Sequence, residues 1–342
     1  MQVPFKSWKE CRDDLSVRGA EMMLQQETVA GVISRESTTP AVCLENMTKT
    51  FGAVRALQDV TLRVRPGQVY GVLGPNGAGK TTMLRALLGL VRCDTGTVRV
   101  LGRPPADSQA LRRIGALVES PAFVPQLSGR VNLRVLARAR ALHGNEVSRV
   151  LRAVGMEEAA DRRVAGYSLG MRQRLGVAAA MLGDPSLLIL DEPTNGLDPD
   201  GMAWMRGLIR ELGGRATVLL SSHLLGEVQQ ICDRVVVLDK GKVVAEGSVS
   251  ALLGRAGSRT VAVWAYPADV AAKVLSTWPG AVLAGGPGDS HWRLDLDRDR
   301  IPGLVKALVD GGAEVHEVRR ERQSLEQVFF DLTRDRDAGG GR

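Results

Sequence analysis

The chain has 342 residues, 44% of them hydrophobic and 24% charged, an ordinary soluble composition with room for one large α/β core and a smaller companion. No apolar run approaches the roughly 18 residues of a spanning helix, and Lys6, Lys9, Asp13 and Asp14 break up any secretory signal, so a cytosolic chain is expected. The formal charge of +7 is held between Arg103 and Arg174, where thirteen arginines and no lysine stand against six acidic residues, and the four cysteines form no C-x-x-C pair.

Residues 1–40 are polar, end in Ser37-Thr38-Thr39-Pro40 and read as a poorly ordered extension. Residues 42–46 and 57–64 read as short strands, with a turn at Pro66-Gly67. Residues 69–73 are a buried strand running into a glycine-rich loop, and residues 81–90 have helical apolar spacing. Residues 130–182 repeat apolar positions three and four apart, as helices do, within a helical region of about 120–182. Residues 187–190, 217–221 and 235–238 return as buried strands separated by helices. Strands alternating with helices predict a largely parallel sheet covered on both faces, over residues 41–250.

After a break at residues 254–257 the pattern becomes strand 260–266, helix 268–277 and strand 281–284. Strand 291–296, helix 301–309 and strand 314–319 complete a βαββαβ order, a small α+β domain spanning 258–334. A last helix over 324–332 carries Leu325, Val328, Phe329 and Leu332 on one face, and residues 335–342 read as a disordered tail. The arginine-rich segment is interleaved with only Phe123 and Tyr167, which counts against single-strand stacking, so no nucleic-acid partner is expected.

The segment Gly74-Pro75-Asn76-Gly77-Ala78-Gly79-Lys80-Thr81, followed by Thr82, fits G-x-x-x-x-G-K-[ST] between a strand and a helix. Its glycines let backbone N–H groups converge on phosphate oxygens, and the helix that follows adds its positive end. Lys80 supplies a full charge to the β- and γ-phosphates, and Thr81 offers a hydroxyl to Mg²⁺. The apolar strand 187–190 ends in Asp191 and Glu192, at the sheet edge where that loop opens. Asp191 is then placed to hold Mg²⁺, and Glu192 to orient or deprotonate an attacking water.

Further short motifs follow in a fixed order, and with them the chain resembles the ATP-binding cassette (ABC) proteins across residues 42–247. Tyr167-Ser168-Leu169-Gly170-Met171 stands where the family has L-S-G-G-Q, with Ser168 lying 23 residues before Asp191. Gly196-Leu197-Asp198 resembles the D-loop, and Ser221-Ser222-His223 the switch histidine. Phe51, 29 residues before Lys80, occupies the place of an aromatic that stacks on adenine. Glu119, in Val118-Glu119-Ser120, replaces the usual linking-loop glutamine; it can still accept from water or reach Mg²⁺.

The resemblance implies a P-loop NTPase cassette, with a mixed sheet core and a helical subdomain, that binds ATP with Mg²⁺ and hydrolyses it. Glu192, His223 and Glu119 are its expected catalytic residues. Phe51, residues 74–82, Ser168, Gly170 and Asp198 would bind nucleotide, and Thr81, Glu119 and Asp191 the metal. It also implies pairing, as a homodimer or with a related cassette, at the cytoplasmic face of a membrane. The variant motifs and the 324–332 element resemble bacterial drug- and antibiotic-export cassettes, whose permease is a separate chain. A cassette ATPase of ribosomes or DNA would usually carry tandem cassettes or a long coiled-coil insertion. A small-molecule kinase would leave Ser168–Met171 and His223 unexplained.

Overall fold

The computed structural model describes residues 39–119, 121–255, 260–278, 281–283 and 290–320. Residues 1–38 of the extension expected over 1–40, the helix at 324–332 and the tail 335–342 lie outside the described residues. From Ala41, β1 (Val42–Phe51), β2 (Val54–Val64), β3 (Val69–Leu73), α1 (Lys80–Leu87), β4 (Thr95–Val100), α2 (Ser108–Leu111) and β5 (Ile114–Leu117) follow in order. Next come α3 (Gly129–Ala139), α4 (Glu146–Ala153), α5 (Leu169–Ala180), β6 (Leu187–Leu190), α6 (Pro199–Gly213) and β7 (Thr217–Ser222). α7 (Leu225–Ile231), β8 (Arg234–Asp239), β9 (Lys242–Ser248) and α8 (Val249–Arg255) complete this part.

The central sheet has the order β5-β6-β7-β3-β8-β9 and is parallel except at the β8–β9 edge. Every residue of β3, β6 and β7 is buried, because helices or a second sheet cover both faces. Alternate residues serve the two faces. Leu188, Leu190, Val218 and Leu220 pack with residues of α3 to α6, while Leu187, Ile189, Leu219 and Val72 pack with α1 and β1.

The first two strands do not join this sheet. They pair antiparallel with each other, and β1 also pairs with β4, giving a separate three-stranded sheet. The reason is local. Only two residues separate β1 from β2, a hairpin link that cannot deliver parallel neighbours. Strands β4, β5 and β9 were absent from the sequence reading; β4 opens on exposed Thr-Gly-Thr and β5 is four residues long.

Close packing of α5 on β5 fixes that edge of the sheet. A Cβ added to Gly115 would lie 1.9 Å from the Ala180 carbonyl oxygen, which is backbone and cannot swing aside. Gly115→Ala is therefore expected to destabilise the protein by about 1–3 kcal/mol or more, read as a lower denaturant midpoint at unchanged slope. An unaltered midpoint would show that α5 and β5 are not in this contact.

Beyond α8, the elements are β10 (Thr260–Tyr266), α9 (Ala268–Leu275), β11 (Ala281–Leu283), β12 (His291–Asp295), α10 (Ile301–Asp310) and β13 (Glu314–Arg320). This is the expected βαββαβ order. Its antiparallel sheet, β11-β12-β10-β13, has a core of its own in which Val261, Val263, Trp292 and Leu294 meet Leu275, Leu304 and Leu308.

Candidate active site

Strand β3 delivers the chain to Gly74, and the loop doubles back before α1 begins. Both ends of the loop press on other backbone. A Cβ on Gly74 would sit 2.2 Å from the Leu238 carbonyl oxygen, and one on Gly79 2.4 Å from that of Ala56. Their φ angles of 149° and 105° also lie where glycine is favoured. Gly79 caps α1 without a side-chain acceptor, so the amides of Lys80, Thr81 and Thr82 have no intrahelical partner at the helix's positive end. Such an end receives phosphate. Lys80 is only 5% exposed, and its Nζ donates to the carbonyls of Gly74 (2.8 Å) and Pro75 (3.3 Å).

The wholly buried β6 runs directly into Asp191 and Glu192, and Glu192 reaches this loop's lysine. Asp191, 8% exposed, donates its amide to the Leu117 carbonyl (2.7 Å) and accepts a short hydrogen bond from the Ser221 hydroxyl. Ser221 Oγ in turn accepts from the Glu192 amide (2.9 Å), so one buried hydroxyl fixes both acidic residues. A buried carboxylate needs such partners. Glu192 adopts φ 48° and turns its side chain across the site. Its Oε1 lies 3.3 Å from Lys80 Nζ, and its Oε2 lies 2.8 Å from His223 Nδ1. Three sequence-predicted residues, Lys80 at the start of α1 and Glu192 and His223 just beyond β6 and β7, thus meet in one chain of polar contacts.

The donors here suit Mg²⁺. Among the described residues no cluster of three His, Cys, Asp or Glu side chains forms a metal cage. What is present is a buried carboxylate, Asp191, and the Thr81 hydroxyl, the sparse hard-oxygen set with which Mg²⁺ is held when phosphates supply the rest.

Ser168, Gly170 and Asp198 belong to a different place. With Met171, Leu197 and Arg174 they line a cavity of about 690 Å³ whose walls include neither Lys80 nor Glu192. Ser168 caps α5, its Oγ accepting from the Met171 amide (3.2 Å), and Asp198 caps α6 by accepting from the Gly201 amide (2.9 Å). Tyr167 is buried, and its hydroxyl donates to the Ala159 carbonyl (2.6 Å), which anchors the start of α5. Gln173 of α5 donates to the Pro193 carbonyl (3.1 Å), linking this helix to the segment after Glu192.

Two further expected residues stand apart. Phe51, at the end of β1, keeps 48% of its surface exposed, with Lys49 Nζ 5.2 Å from its ring centroid. Glu119 follows β5 with φ 67°, and its carboxylate is ion-paired with Arg85 of α1. Ser221, Gln173 and Arg85 were given no role by the sequence. A hydroxyl at the end of an all-buried strand was the signal for Ser221; Arg85 offered none.

Most of the arginine-rich segment is engaged structurally. Arg130 pairs with Asp161, Arg149 with Glu146 and Arg152 with Glu157, while Arg140 donates to the carbonyls of Leu182 and Ile114. Arg174 stacks on Trp204 at 4.0 Å. Arg134 and Arg138 are exposed on α3 beside the exposed Val135 and Leu136.

Residues 57–195 match a family model described as ABC transporter. The chain is 36% identical over 299 residues to the uncharacterized ABC transporter ATP-binding protein YdbJ of Bacillus subtilis (strain 168), covering 86% of this chain and 96% of that protein. It is 37% identical over 307 residues to the daunorubicin resistance ATP-binding protein DrrA3 of Streptomyces coeruleorubidus, with the same coverage. The bacitracin transport ATP-binding protein BcrA of Bacillus licheniformis is 42% identical over 206 residues, 59% of this chain and 67% of that protein. A solved ATP-binding subunit of an ABC transporter superposes with TM-score 0.58 at 30% identity, over 64% of this chain and 94% of that one.

Proposed function

This chain belongs to the ABC transporter ATP-binding proteins and is an ATPase of that family, and we propose that it works as one of two paired cassettes driving export through a separate membrane permease. The observation that carries the pairing is the separation of two groups of polar residues. Lys80, Glu192 and His223 meet at the phosphate loop, whereas Ser168, Gly170 and Asp198 line another cavity. One chain offers one of each, so two chains facing in opposite senses would complete two sites.

In this reading the leading amides of α1 and the Lys80 ammonium receive the phosphates, which requires Lys80 to turn from the Gly74 and Pro75 carbonyls. Glu192 Oε1, released from Lys80, then orients and deprotonates the attacking water, while His223 keeps Oε2 in place. Thr81 and Asp191 would hold Mg²⁺, which supplies charge neutralisation of the phosphates. The exposed Phe51 ring supplies a stacking surface for adenine. Glu119, ion-paired with Arg85, follows β5 beside β6 and would face a water or the metal only on leaving that arginine. Ser168 and Asp198 would meet the nucleotide held by the partner cassette.

No helix among the described residues is long and apolar enough to cross a membrane, which fits an ATPase bound to a permease at the cytoplasmic face. The relatives named for daunorubicin resistance and bacitracin transport support an antibiotic-like cargo. Purification from detergent-solubilised membranes tests the assignment. A multi-spanning protein is expected to co-purify, and recovery with ribosomes or with no membrane protein would overturn the transport reading.

The exposed basic and apolar face of α3 is assigned to the permease or to the headgroup surface. Charge reversal at Arg134 and Arg138 is expected to reduce co-sedimentation with membranes at low salt, leaving ATP turnover of the isolated chain unchanged. Undiminished association would leave α3 a solvated face.

A further inference from the structure

Position 119 brings a third carboxylate to the sheet edge that already carries Asp191 and Glu192. β5 and β6 run side by side, Leu117 opposite Leu190, and the Leu117 carbonyl accepts from the Asp191 amide. A triphosphate entering beside α1 would therefore meet the Glu119 charge, and like charges at short range repel. The structure contains the compensating group. Glu119 holds a left-handed backbone, φ 67°, that a non-glycine residue keeps only when its surroundings hold it there, and its carboxylate is ion-paired with the Arg85 guanidinium. Arg85 lies five residues after Lys80 on α1, about 7.5 Å further along the helix axis. The partner of Glu119 is thus carried by the same helix whose first turn is read as the phosphate site.

We propose that Arg85 is a positioning residue for nucleotide binding: it draws Glu119 onto α1, neutralises its charge beside the triphosphate, and so permits a carboxylate to stand at this position. The same pair ties the chain leaving β5, on its way to α3, to the helix that holds the phosphates. This inference rests on the ATP-binding reading given above. The pair is partly exposed, 38% at Arg85 and 61% at Glu119, so its influence is moderate and sensitive to salt.

The test is equilibrium binding of ATP to the full chain in four forms: wild type, Arg85→Ala, Glu119→Gln and the double variant. Each is measured in EDTA at low and high salt and again with Mg²⁺. Arg85→Ala is expected to weaken metal-free ATP binding about three- to tenfold at low salt, and less at high salt. In the Glu119→Gln background the same substitution is expected to have almost no effect, because no charge is left to compensate. Arg85→Lys keeps the charge and is expected to retain most of the affinity, which also covers a poorly folding alanine variant. An equal loss in both backgrounds, independent of salt, would overturn the inference while leaving the ATP-binding reading intact. A wild-type chain that binds no ATP would sink that reading, and the inference with it.

Discussion

Glu192→Gln is expected to slow ATP turnover by about 10²–10⁴-fold while ATP binding is kept, so that an ATP-bound dimer accumulates. The amide has nearly the shape of the carboxylate, so the chain from Lys80 to His223 is not broken sterically; what disappears is the base. The nucleotide site gains from the change in one respect. Lys80 Nζ lies 3.3 Å from Glu192 Oε1, and a neutral partner there releases the lysine's charge to the phosphates. Affinity for ATP should accordingly be equal to wild type or tighter. Phosphate release, equilibrium ATP binding and sedimentation with ATP form the measurement, and wild-type turnover in the variant would remove Glu192 from the role of base.

Lys80→Ala is expected to act on binding itself, weakening ATP by about 10- to 100-fold, the loss of a charge-assisted hydrogen bond of roughly 1.5–3 kcal/mol. The lysine is nearly enclosed, and its contacts run to two loop carbonyls and to Glu192. Removing it therefore deprives the phosphates of a cation and also leaves Glu192 facing them uncompensated. The second contribution can be isolated, because it should shrink when Lys80→Ala is combined with Glu192→Gln. Calorimetry on the single and double variants checks both statements, and unchanged ATP affinity in Lys80→Ala would contradict the phosphate-loop assignment.

Legibility in the sequence followed physical locality. β3 and β6 could be read because a strand buried on both faces is a continuous apolar run, and both were bounded correctly at Val69–Leu73 and Leu187–Leu190. The phosphate loop is contiguous in sequence, so its spacing alone brought Gly74 to Thr82 into view. The expectation of a largely parallel sheet rested on the later strands, which alternate with helices, and did not say where the hairpin of β1 and β2 that precedes them would sit. β5 was hidden by its length and by Gly115, whose value lies in the approach of the Ala180 carbonyl. Within the candidate site, Ser221, Gln173 and Arg85 find their partners far away along the chain, at Asp191, Pro193 and Glu119. A side chain whose purpose is a distant partner carries no periodic signature, and those residues became visible only when the sheet edge was assembled.

Ser168 and Asp198 each hold the first turn of a helix as well as a wall of the cavity between them. Replacing either by alanine removes a cap, a change that costs about 0.5–2 kcal/mol with or without any nucleotide. Alanine scanning at these positions will therefore overstate their share in catalysis, whereas Ser168→Asn and Asp198→Asn keep a cap acceptor and isolate the chemical loss. The same double duty bears on how such chains diverge. A copy released from transport would still be held to a capping residue at both places by the demands of folding. A serine or aspartate surviving there is weak testimony that a relative still hydrolyses ATP, and Glu192, which caps nothing, is the better witness.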